Sequence, residues 1–156
     1  MTTGERAGIM SMEDTAMNTQ IVRNWMTLHP ITITPETTLP EAKQLMLDYH
    51  VRRLPVVNKD KLVGIVTWRD INRAEDWDGV DFGGHDTKSL LQRLTAKEFM
   101  SYVPITISPD ATVGEAVGLM VENKIGGLPV VEDDKLVGMI SETDICIYVL
   151  QVEHAV

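Results

Sequence analysis

The 156-residue chain is poor in cysteine, in aromatic residues and in positive charge. Its single cysteine, Cys146, excludes an internal disulfide and any site built from several thiolates. The 14 basic residues face 23 acidic ones, and the resulting charge of −9 opposes non-specific binding to nucleic acids and anionic membranes, which are polyanions. Four histidines are scattered without the spacing of metal ligands. We expect no metal site, no nucleic-acid partner and no membrane partner.

Long apolar runs and catalytic motifs are missing as well. No apolar stretch approaches the roughly 20 residues of a membrane-spanning helix, and the first residues lack the apolar core of a signal peptide. A nucleophile elbow, a Walker-type loop and a dinucleotide fingerprint are also missing. At 44% apolar residues the chain can still bury a real core. We expect a cytoplasmic protein that is not an enzyme and requires no cofactor.

The chain contains two copies of one segment. Residues 25–71 align with residues 99–145 at a constant shift of 74 without a gap, and about half of the aligned positions are identical. Because two units rarely suffice for a solenoid, this repeat favours a closed pair around a pseudo-twofold axis. The predicted divisions are a disordered tail (1–16), a first domain (17–76), a linker (77–90) and a second domain (91–156).

Each copy shows the same order of secondary-structure signals. In the first copy, an extended segment at 31–33 precedes a capping box at 38–41 and apolar residues at helical spacing, which predict a helix that ends near His50. Apolar runs at 54–57 and 62–66 flank a polar turn and predict a β-hairpin. A second helix begins after the hairpin. The predicted unit is therefore β-α-β-β-α, with short mixed or antiparallel sheets.

Both copies carry the pattern glycine, apolar, any, Ser/Thr, any, any, Asp, at 64–70 and at 138–144. A strand that ends at glycine lets a ligand approach the backbone, the hydroxyl can bind phosphate or ribose, and the aspartate can accept from ribose hydroxyls. The same pair, Thr67 and Asp70 in the first copy, is also a helix capping box that needs no ligand. From the motif alone, both interpretations stay open.

This pattern resembles the nucleotide-binding signature of cystathionine-β-synthase-type (CBS) domains. The Pro-Ile-Thr-Ile segments at 30–33 and 104–107 and the Leu-Pro-Val-Val segments at 54–57 and 128–131 extend the resemblance. It implies a tandem pair, or Bateman module, with an α/β fold of two pseudo-twofold-related β-α-β-β-α units packed sheet to sheet with helices outside. It also implies a regulatory module that binds an adenine nucleotide (AMP, ADP or ATP) or S-adenosylmethionine between the repeats and modulates an effector protein. The alternative is a ligand-independent dimerisation or scaffold module.

The resemblance implies two ligand clefts, each combining the aspartate of one copy with the strand segment of the other. The clefts differ because Arg52-Arg53 precedes Leu-Pro-Val-Val in the first copy, where nucleotide-binding members of the family carry basic residues, while the second copy has Gly126-Gly127. The predicted residues of the arginine-containing cleft are Pro30, Ile31, Arg52, Arg53, Ser141, Thr143 and Asp144. Those of the other cleft are Thr67, Arg69, Asp70, Pro104, Ile105, Gly126 and Gly127. Ile65 and Met139, the apolar residues after the signature glycines, complete the set.

Three further interpretations concern single features. The arginine pair is a phosphate site or a solvated strand end, and two adjacent arginines favour a bound anion because they repel each other. Trp68 is expected to pack between the copies or at a dimer face rather than on a base. Cys146 lies in the apolar run 145–150, where we expect a buried structural thiol.

Apolar helix faces of both copies, including that run, predict a homodimer.

Overall fold

The computed structural model describes residues 20–76 and 86–154, so the predicted tail and most of the predicted linker lie outside the described residues. The helices are α1 (Leu39–Tyr49), α2 (Trp68–Glu75), α3 (Thr87–Arg93), α4 (Ala96–Phe99), α5 (Val113–Asn123) and α6 (Glu142–His154), and a 3-10 helix covers Val22–Asn24. The strands are β1 (Thr27–Leu28), β2 (Arg53–Asn58), β3 (Lys61–Thr67), β4 (Ser101–Tyr102), β5 (Gly127–Glu132) and β6 (Lys135–Ser141).

The strands of both repeats join in one six-stranded antiparallel sheet. Strands β2 and β3 form one hairpin, and β5 and β6 form the other. The two hairpins meet where Lys61 lies opposite Lys135. Strand β1 pairs with β6, and β4 pairs with β3, so each short strand extends the hairpin of the other repeat. The predicted α/β fold with short antiparallel strands is confirmed.

The capping boxes in the sequence start the long helices as predicted. Thr38 Oγ1 accepts from the Glu41 N–H, and the Glu41 carboxylate accepts from the Thr38 N–H at 2.8 Å. Thr112 and Glu115 repeat this arrangement before α5. Helix α1 ends at His50, whose φ of 53° is left-handed, close to the predicted end.

The two hairpins turn in the same way. Lys59 and Asp60 in the first, and Asp133 and Asp134 in the second, have φ values between 49° and 65°. Positive φ at both central residues gives the turn the twist that flanking antiparallel strands require, and Asp is one of the residues that tolerate it. The predicted polar turns are thus two-residue hairpin turns.

The first segment of the chain packs with the second repeat. The Val22 N–H donates to the Ala111 carbonyl at 2.8 Å, and the Val113 N–H donates to the Gln20 carbonyl at 2.7 Å. Arg23 forms ion pairs with Asp110 and Glu132 of the second repeat, at 3.0 and 2.6 Å. Residues 20–28 therefore belong to the second repeat in space although they precede the first in sequence.

The segment 94–102 makes the reciprocal exchange. The Ala96 N–H donates to the Thr37 carbonyl, and the Leu39 N–H donates to the Leu94 carbonyl, both at 2.8 Å. The residues in these bonds are related to those in the bonds of the first segment by the repeat shift of 74. The two exchanges are therefore equivalent under the internal repeat. Each repeat is completed by a helical turn and a two-residue strand from the other.

One predicted strand is displaced. Residues 31–33 were expected to be extended and to form the first strand, but only Ile33 bridges β2, in a parallel bridge to Val56. The first strand is β1, which lies earlier and pairs across the repeats. The reason is that the chain must leave β6 of one repeat and reach β2 of the other within a few residues, and Pro30 has no N–H to continue a ladder.

Each repeat has its own apolar core on the sheet. The buried residues of the first core are Ile33, Leu39, Ala42, Met46, Leu54, Val56, Val66, Ile71, Ala74, Ala96 and Met100. Those of the second are Val22, Met26, Ile107, Ala116, Met120, Leu128, Val130 and Ile140. The exchanged segments contribute Ala96 and Met100 to the first core and Val22 and Met26 to the second, so neither core is complete without the other repeat.

Candidate functional site

The signature of the first repeat forms a complete helix cap. The Thr67 N–H and hydroxyl both donate to Asp70 Oδ2 at 2.8 Å, and the Asp70 N–H donates back to Thr67 Oγ1 at 3.3 Å. Both residues are half-buried at the start of α2. The hydroxyl of Thr67 is thus engaged as donor and as acceptor.

The signature of the second repeat is less fully engaged. The Ser141 N–H and hydroxyl donate to Asp144 Oδ2 at 2.7 and 2.9 Å. Among the described residues, nothing donates to Ser141 Oγ or to Asp144 Oδ1. In both signatures one carboxylate oxygen caps the helix and the other keeps its acceptor capacity, so the two signatures differ only at the hydroxyl.

The side chain of Arg53 lies over the glycine pair of the other repeat. An ideal Cβ at Gly126 would lie 2.2 Å from Arg53 Nη2, and one at Gly127 would lie 3.0 Å from Arg53 Cδ. Any larger residue at these positions would collide with the guanidinium or its stem. Gly127 also pairs with Ser141 in the second hairpin. The two glycines thus provide space that brings Arg53 towards the start of α6.

The Arg53 side chain is half-buried, and this burial destabilises the charged form of its guanidinium. Burial lowers its pKa, the Glu142 carboxylate opposes that change, and the neighbouring Arg52 charge adds to it. Within residues 20–76 and 86–154, the Arg53 side chain makes no hydrogen bond or ion pair. Arg52 is exposed, and its carbonyl accepts from the Trp68 N–H at 2.9 Å. A partly desolvated cation without an acceptor is suited to an anionic ligand group.

Each Pro-Ile segment follows a short strand that pairs with the opposite repeat. Thr27 lies opposite Met139 in the pairing of β1 with β6, and Pro30 and Ile31 follow directly after β1. In the same way Ser101 lies opposite Ile65, and Pro104 and Ile105 follow β4. The structure thus places the two short strands next to the strands that lead into the opposite signatures, whereas Ile31 packs against the core of its own repeat.

A strained residue precedes one of these segments. Val103 has a φ of 49° and is 89% exposed, directly before Pro104. A β-branched residue is rarely found in the left-handed region. The equivalent residue before Pro30 is His29, also at φ 49° and better suited to it.

Two further predicted site residues, Thr143 and Arg69, are exposed on the first turns of α6 and α2.

Glu142 is not among the predicted site residues but lies beside Arg53. The Cβ position at Gly126 that is close to Arg53 is also 2.9 Å from Glu142 Oε2. The Glu142 N–H donates to the Gly126 carbonyl at 3.1 Å, which anchors the start of α6 there. The repeat aligns Glu142 with Trp68, and this change from aromatic to acidic was the signal available in the sequence.

The expectation of a buried Cys146 is wrong, and the position of Trp68 at a dimer face stays a prediction. Trp68 packs against the core of its own repeat, and Lys43 Nζ lies 6.0 Å from its ring centroid. Cys146 is exposed, and α6 contains no buried residue although Tyr148 stacks edge-on against Trp25. An apolar helical run did not mean a buried helix here.

A surface groove of about 540 Å³ lies elsewhere, between α1, α2 and α3. It is lined by Leu39, Pro40, Lys43, Gln44, Leu47, Glu75, Lys88, Leu91 and Gln92, and shares no residue with the predicted clefts. Its Lys43 and Glu75 already pair with each other at 2.6 Å. We therefore place the candidate site at Arg53 and the start of α6, where a charge and two acceptors are available.

The described part of the chain offers no metal site and no membrane-spanning helix. No group of three or more His, Cys, Asp or Glu residues there could hold a metal ion. None of its helices combines the length and the apolar character that crossing a bilayer demands.

Comparison with known proteins identifies the family. The family model of the CBS domain matches residues 22–76 and 96–151, which are the two repeats. A CBS domain-containing protein of Dictyostelium discoideum is 33% identical over 127 residues, covering 80% of this chain and 88% of that protein. The inosine-5'-monophosphate dehydrogenase of Korarchaeum cryptofilum is 39% identical over 116 residues, but the chain spans only 21% of its length.

Solved structures agree with this assignment. The AcuB structure from Vibrio cholerae has 34% identity and a TM-score of 0.73, covering 87% of this chain and 96% of that one. The CBS domain pair of protein MJ0100, in complex with 5'-methylthioadenosine and S-adenosyl-L-methionine, has 27% identity and a TM-score of 0.70, covering 84% and 96%. With both repeats matched and the pair reproduced in three dimensions, the chain belongs to the CBS domain family as a tandem CBS pair.

Proposed function

We propose that this chain is a regulatory module that binds an adenine nucleotide or a related adenosyl ligand in the cleft of Arg53, Ser141 and Asp144. The observation that carries the proposal is the half-buried Arg53 cation, which has no acceptor among the described residues and is directed to the start of α6 by the space above Gly126 and Gly127. Its pKa is lowered chiefly by burial, and a bound anion would restore the lost solvation.

Each part of an adenosyl ligand has a partner in this cleft. Asp144 Oδ1 accepts from a ribose hydroxyl while Oδ2 continues to cap α6. Ser141 Oγ is an additional acceptor. Half-buried Ile31 offers apolar surface to the base, Met139 is only 9% exposed and offers little, and Arg53 binds the charged end of the ligand.

The relatives support this class of ligand. The CBS pair of MJ0100 was solved with 5'-methylthioadenosine and S-adenosyl-L-methionine, and both molecules contain adenosine. Its likeness to this chain extends over 84% of the residues. We propose that ligand binding shifts the packing of the two repeats, or of two subunits in a homodimer, and that an effector protein in the cytoplasm responds to this change.

The second cleft is proposed to bind more weakly. Thr67 is fully engaged as a cap, and the residues that face Asp70 across the pseudo-twofold axis include no cation at positions 126 and 127. Arg69 is exposed and supplies the only positive charge that the predicted set adds there. An uncharged ligand such as adenosine suits this cleft better than a nucleotide.

A second candidate function rests on the exposed face of α6. Ile147, Val149, Leu150 and Val152 are between 41% and 56% exposed, and Tyr49 on α1 is 56% exposed. Exposed apolar side chains in this number usually mark an interface. A ligand-independent dimerisation or scaffold module would use this face and leave both clefts empty.

Matched aspartate variants test the proposal. Asp144→Ala and Asp70→Ala each remove the cap of one helix, so we expect similar losses of stability of about 1 kcal/mol. Only Asp144→Ala should weaken binding of AMP and of adenosine at the tight site, because the ribose is common to both. Isothermal titration calorimetry measures affinity, and thermal melting checks that 100 Kd of ligand stabilises the wild type by about 2.7 kcal/mol.

Two results would contradict the proposal. If Asp70→Ala abolishes the tight site and Asp144→Ala retains it, the ligand binds in the other cleft. If the wild type binds no AMP, adenosine, S-adenosylmethionine or methylthioadenosine but forms a dimer in light scattering, the scaffold function is the better account.

A further inference from the structure

An acidic side chain lies next to the cation of the candidate site. Arg53 Nη2 and Glu142 Oε2 are 2.2 and 2.9 Å from the same point, the position of an ideal Cβ at Gly126. They are neighbours on two sides of one glycine, yet they form no ion pair within 4.0 Å in the described part of the chain. The site therefore presents one positive and one negative group side by side.

This arrangement favours a zwitterionic ligand over one that is only anionic. Phosphate that approaches Arg53 also approaches the carboxylate of Glu142, and like charges at short distance repel. A ligand with adjacent anionic and cationic groups would satisfy both side chains, its anion by charge-assisted hydrogen bonds to the guanidinium and its cation by attraction to the carboxylate. The sequence confines this feature to one cleft, because Trp68 occupies the equivalent position in the first repeat.

We propose that Glu142 determines the charge preference of the Arg53 site and selects adenosyl ligands with a zwitterionic end, such as the amino-acid group of S-adenosylmethionine, over AMP. This inference rests on the proposed adenosyl site and adds the class of ligand that it prefers. The carboxylate of the amino-acid group binds Arg53, and its ammonium or the sulfonium lies near Glu142. Methylthioadenosine has neither charge, so its affinity does not depend on Glu142.

Glu142→Gln removes the negative charge while keeping the size of the side chain. We expect this variant to bind S-adenosylmethionine about three- to tenfold more weakly and AMP more tightly by a similar factor, as suits one partly exposed charge pair. Its affinity for methylthioadenosine should stay within about twofold. Glu122→Gln is the matched control, because Glu122 is exposed on α5 and the variant has the same net charge.

Titration calorimetry with the three ligands separates the outcomes, and thermal melting shows that the variants are folded. If Glu142→Gln raises the affinities for AMP and S-adenosylmethionine equally, Glu142 is only a counter-ion that every anion displaces, and the inference is overturned. It is overturned as well if neither affinity changes relative to Glu122→Gln. If the wild type binds none of the three ligands, the proposed function fails first, and the inference fails with it.

Discussion

The hairpin of the first repeat begins with Arg52 and Arg53, and that of the second begins with Gly126 and Gly127. Sequence comparison presents these as independent differences between two clefts. In the structure they are complementary, because the Arg53 side chain lies in the space that the glycines leave open. The repeats have therefore diverged together at the place where they meet.

Elsewhere the repeats remain equivalent. The exchanged segments make hydrogen bonds of 2.7 to 2.8 Å at positions related by the shift of 74, and each contributes buried residues to the opposite core. The comparison suggests that the symmetric part holds the fold together and the divergent part sets the ligand. The predictions below test this division, beginning with the symmetric part.

Alanine at the signature glycines should break the exchange equally in both repeats. A Cβ at Gly64 would lie 2.4 Å from Met100 Sδ, and one at Gly138 would lie 2.8 Å from Met26 Sδ. Both methionines come from exchanged segments, so each variant should lose about 1 to 3 kcal/mol of unfolding free energy. Urea unfolding measures this loss. Gly118→Ala is the control, with no atom within 4 Å, and should be neutral or stabilising by about 0.5 to 1 kcal/mol.

Gly126→Ala should disturb the Arg53 site, where the two repeats differ, without unfolding the protein. The new methyl group collides with Arg53 Nη2 at 2.2 Å and, less severely, with the Glu142 carboxyl group at 2.9 Å, and both are flexible ends of side chains that can move aside. We expect AMP affinity to fall about five- to tenfold, or roughly 1 kcal/mol, while the melting temperature changes little. Gly114→Ala, whose Cβ would make an ordinary contact at 3.7 Å, is the matched control for titration calorimetry. Unchanged AMP affinity in Gly126→Ala would mean that the position of Arg53 is irrelevant to binding.

Asparagine substitutions at the residues before the two Pro-Ile segments test a smaller difference between the repeats, the backbone strain at these positions. Val103→Asn relieves the left-handed strain of an 89% exposed β-branched residue and should raise stability by about 0.5 to 1 kcal/mol. His29→Asn should gain less, because histidine already tolerates this conformation. Differential scanning calorimetry of both variants measures the gains. An equal effect would show that Val103 is not specifically strained.

The capping boxes predict a modest acid sensitivity that both repeats share. Hydrogen bonds from the Thr38 backbone and side chain lower the pKa of Glu41, and those from Thr112 lower the pKa of Glu115. A carboxyl group with a lowered pKa in the folded state contributes stability above its ordinary pKa of 4.5 and loses it as pH falls through the folded value. Thr38→Ala and Thr112→Ala should each flatten the stability profile below about pH 4.5 as measured by urea unfolding. A profile that neither variant changes would contradict this origin.

Local signals in the sequence predicted most of the elements. Thr38 and Glu41 marked the start of α1, and the apolar runs on both sides of Lys59 and Asp60 marked a hairpin, since these depend on neighbours in sequence. The alignment of the two copies then predicted the same elements in the second copy. The resemblance to the CBS family was confirmed by the family model and the solved pairs.

Features that depend on contacts between the repeats were not predicted. Strand β1 pairs with β6, more than 100 residues away, and no local pattern encodes that choice. The proximity of Glu142 to Arg53 depends on the same packing, although its alignment with Trp68 was visible. Cys146 was expected to be buried because its helix is apolar, but burial requires a second surface that the described chain does not supply. The roles of the individual site residues stay predictions.

The most direct test of the account is a calorimetric titration of wild type and Arg53→Ala with AMP and with adenosine. If Arg53 binds the phosphate, its loss should weaken AMP binding about ten- to hundredfold, or roughly 1.5 to 3 kcal/mol, and remove its salt dependence. Adenosine should bind wild type and variant alike. If Arg53→Ala binds AMP as tightly as the wild type, the charged site is not at Arg53 and the proposed division between the repeats is wrong.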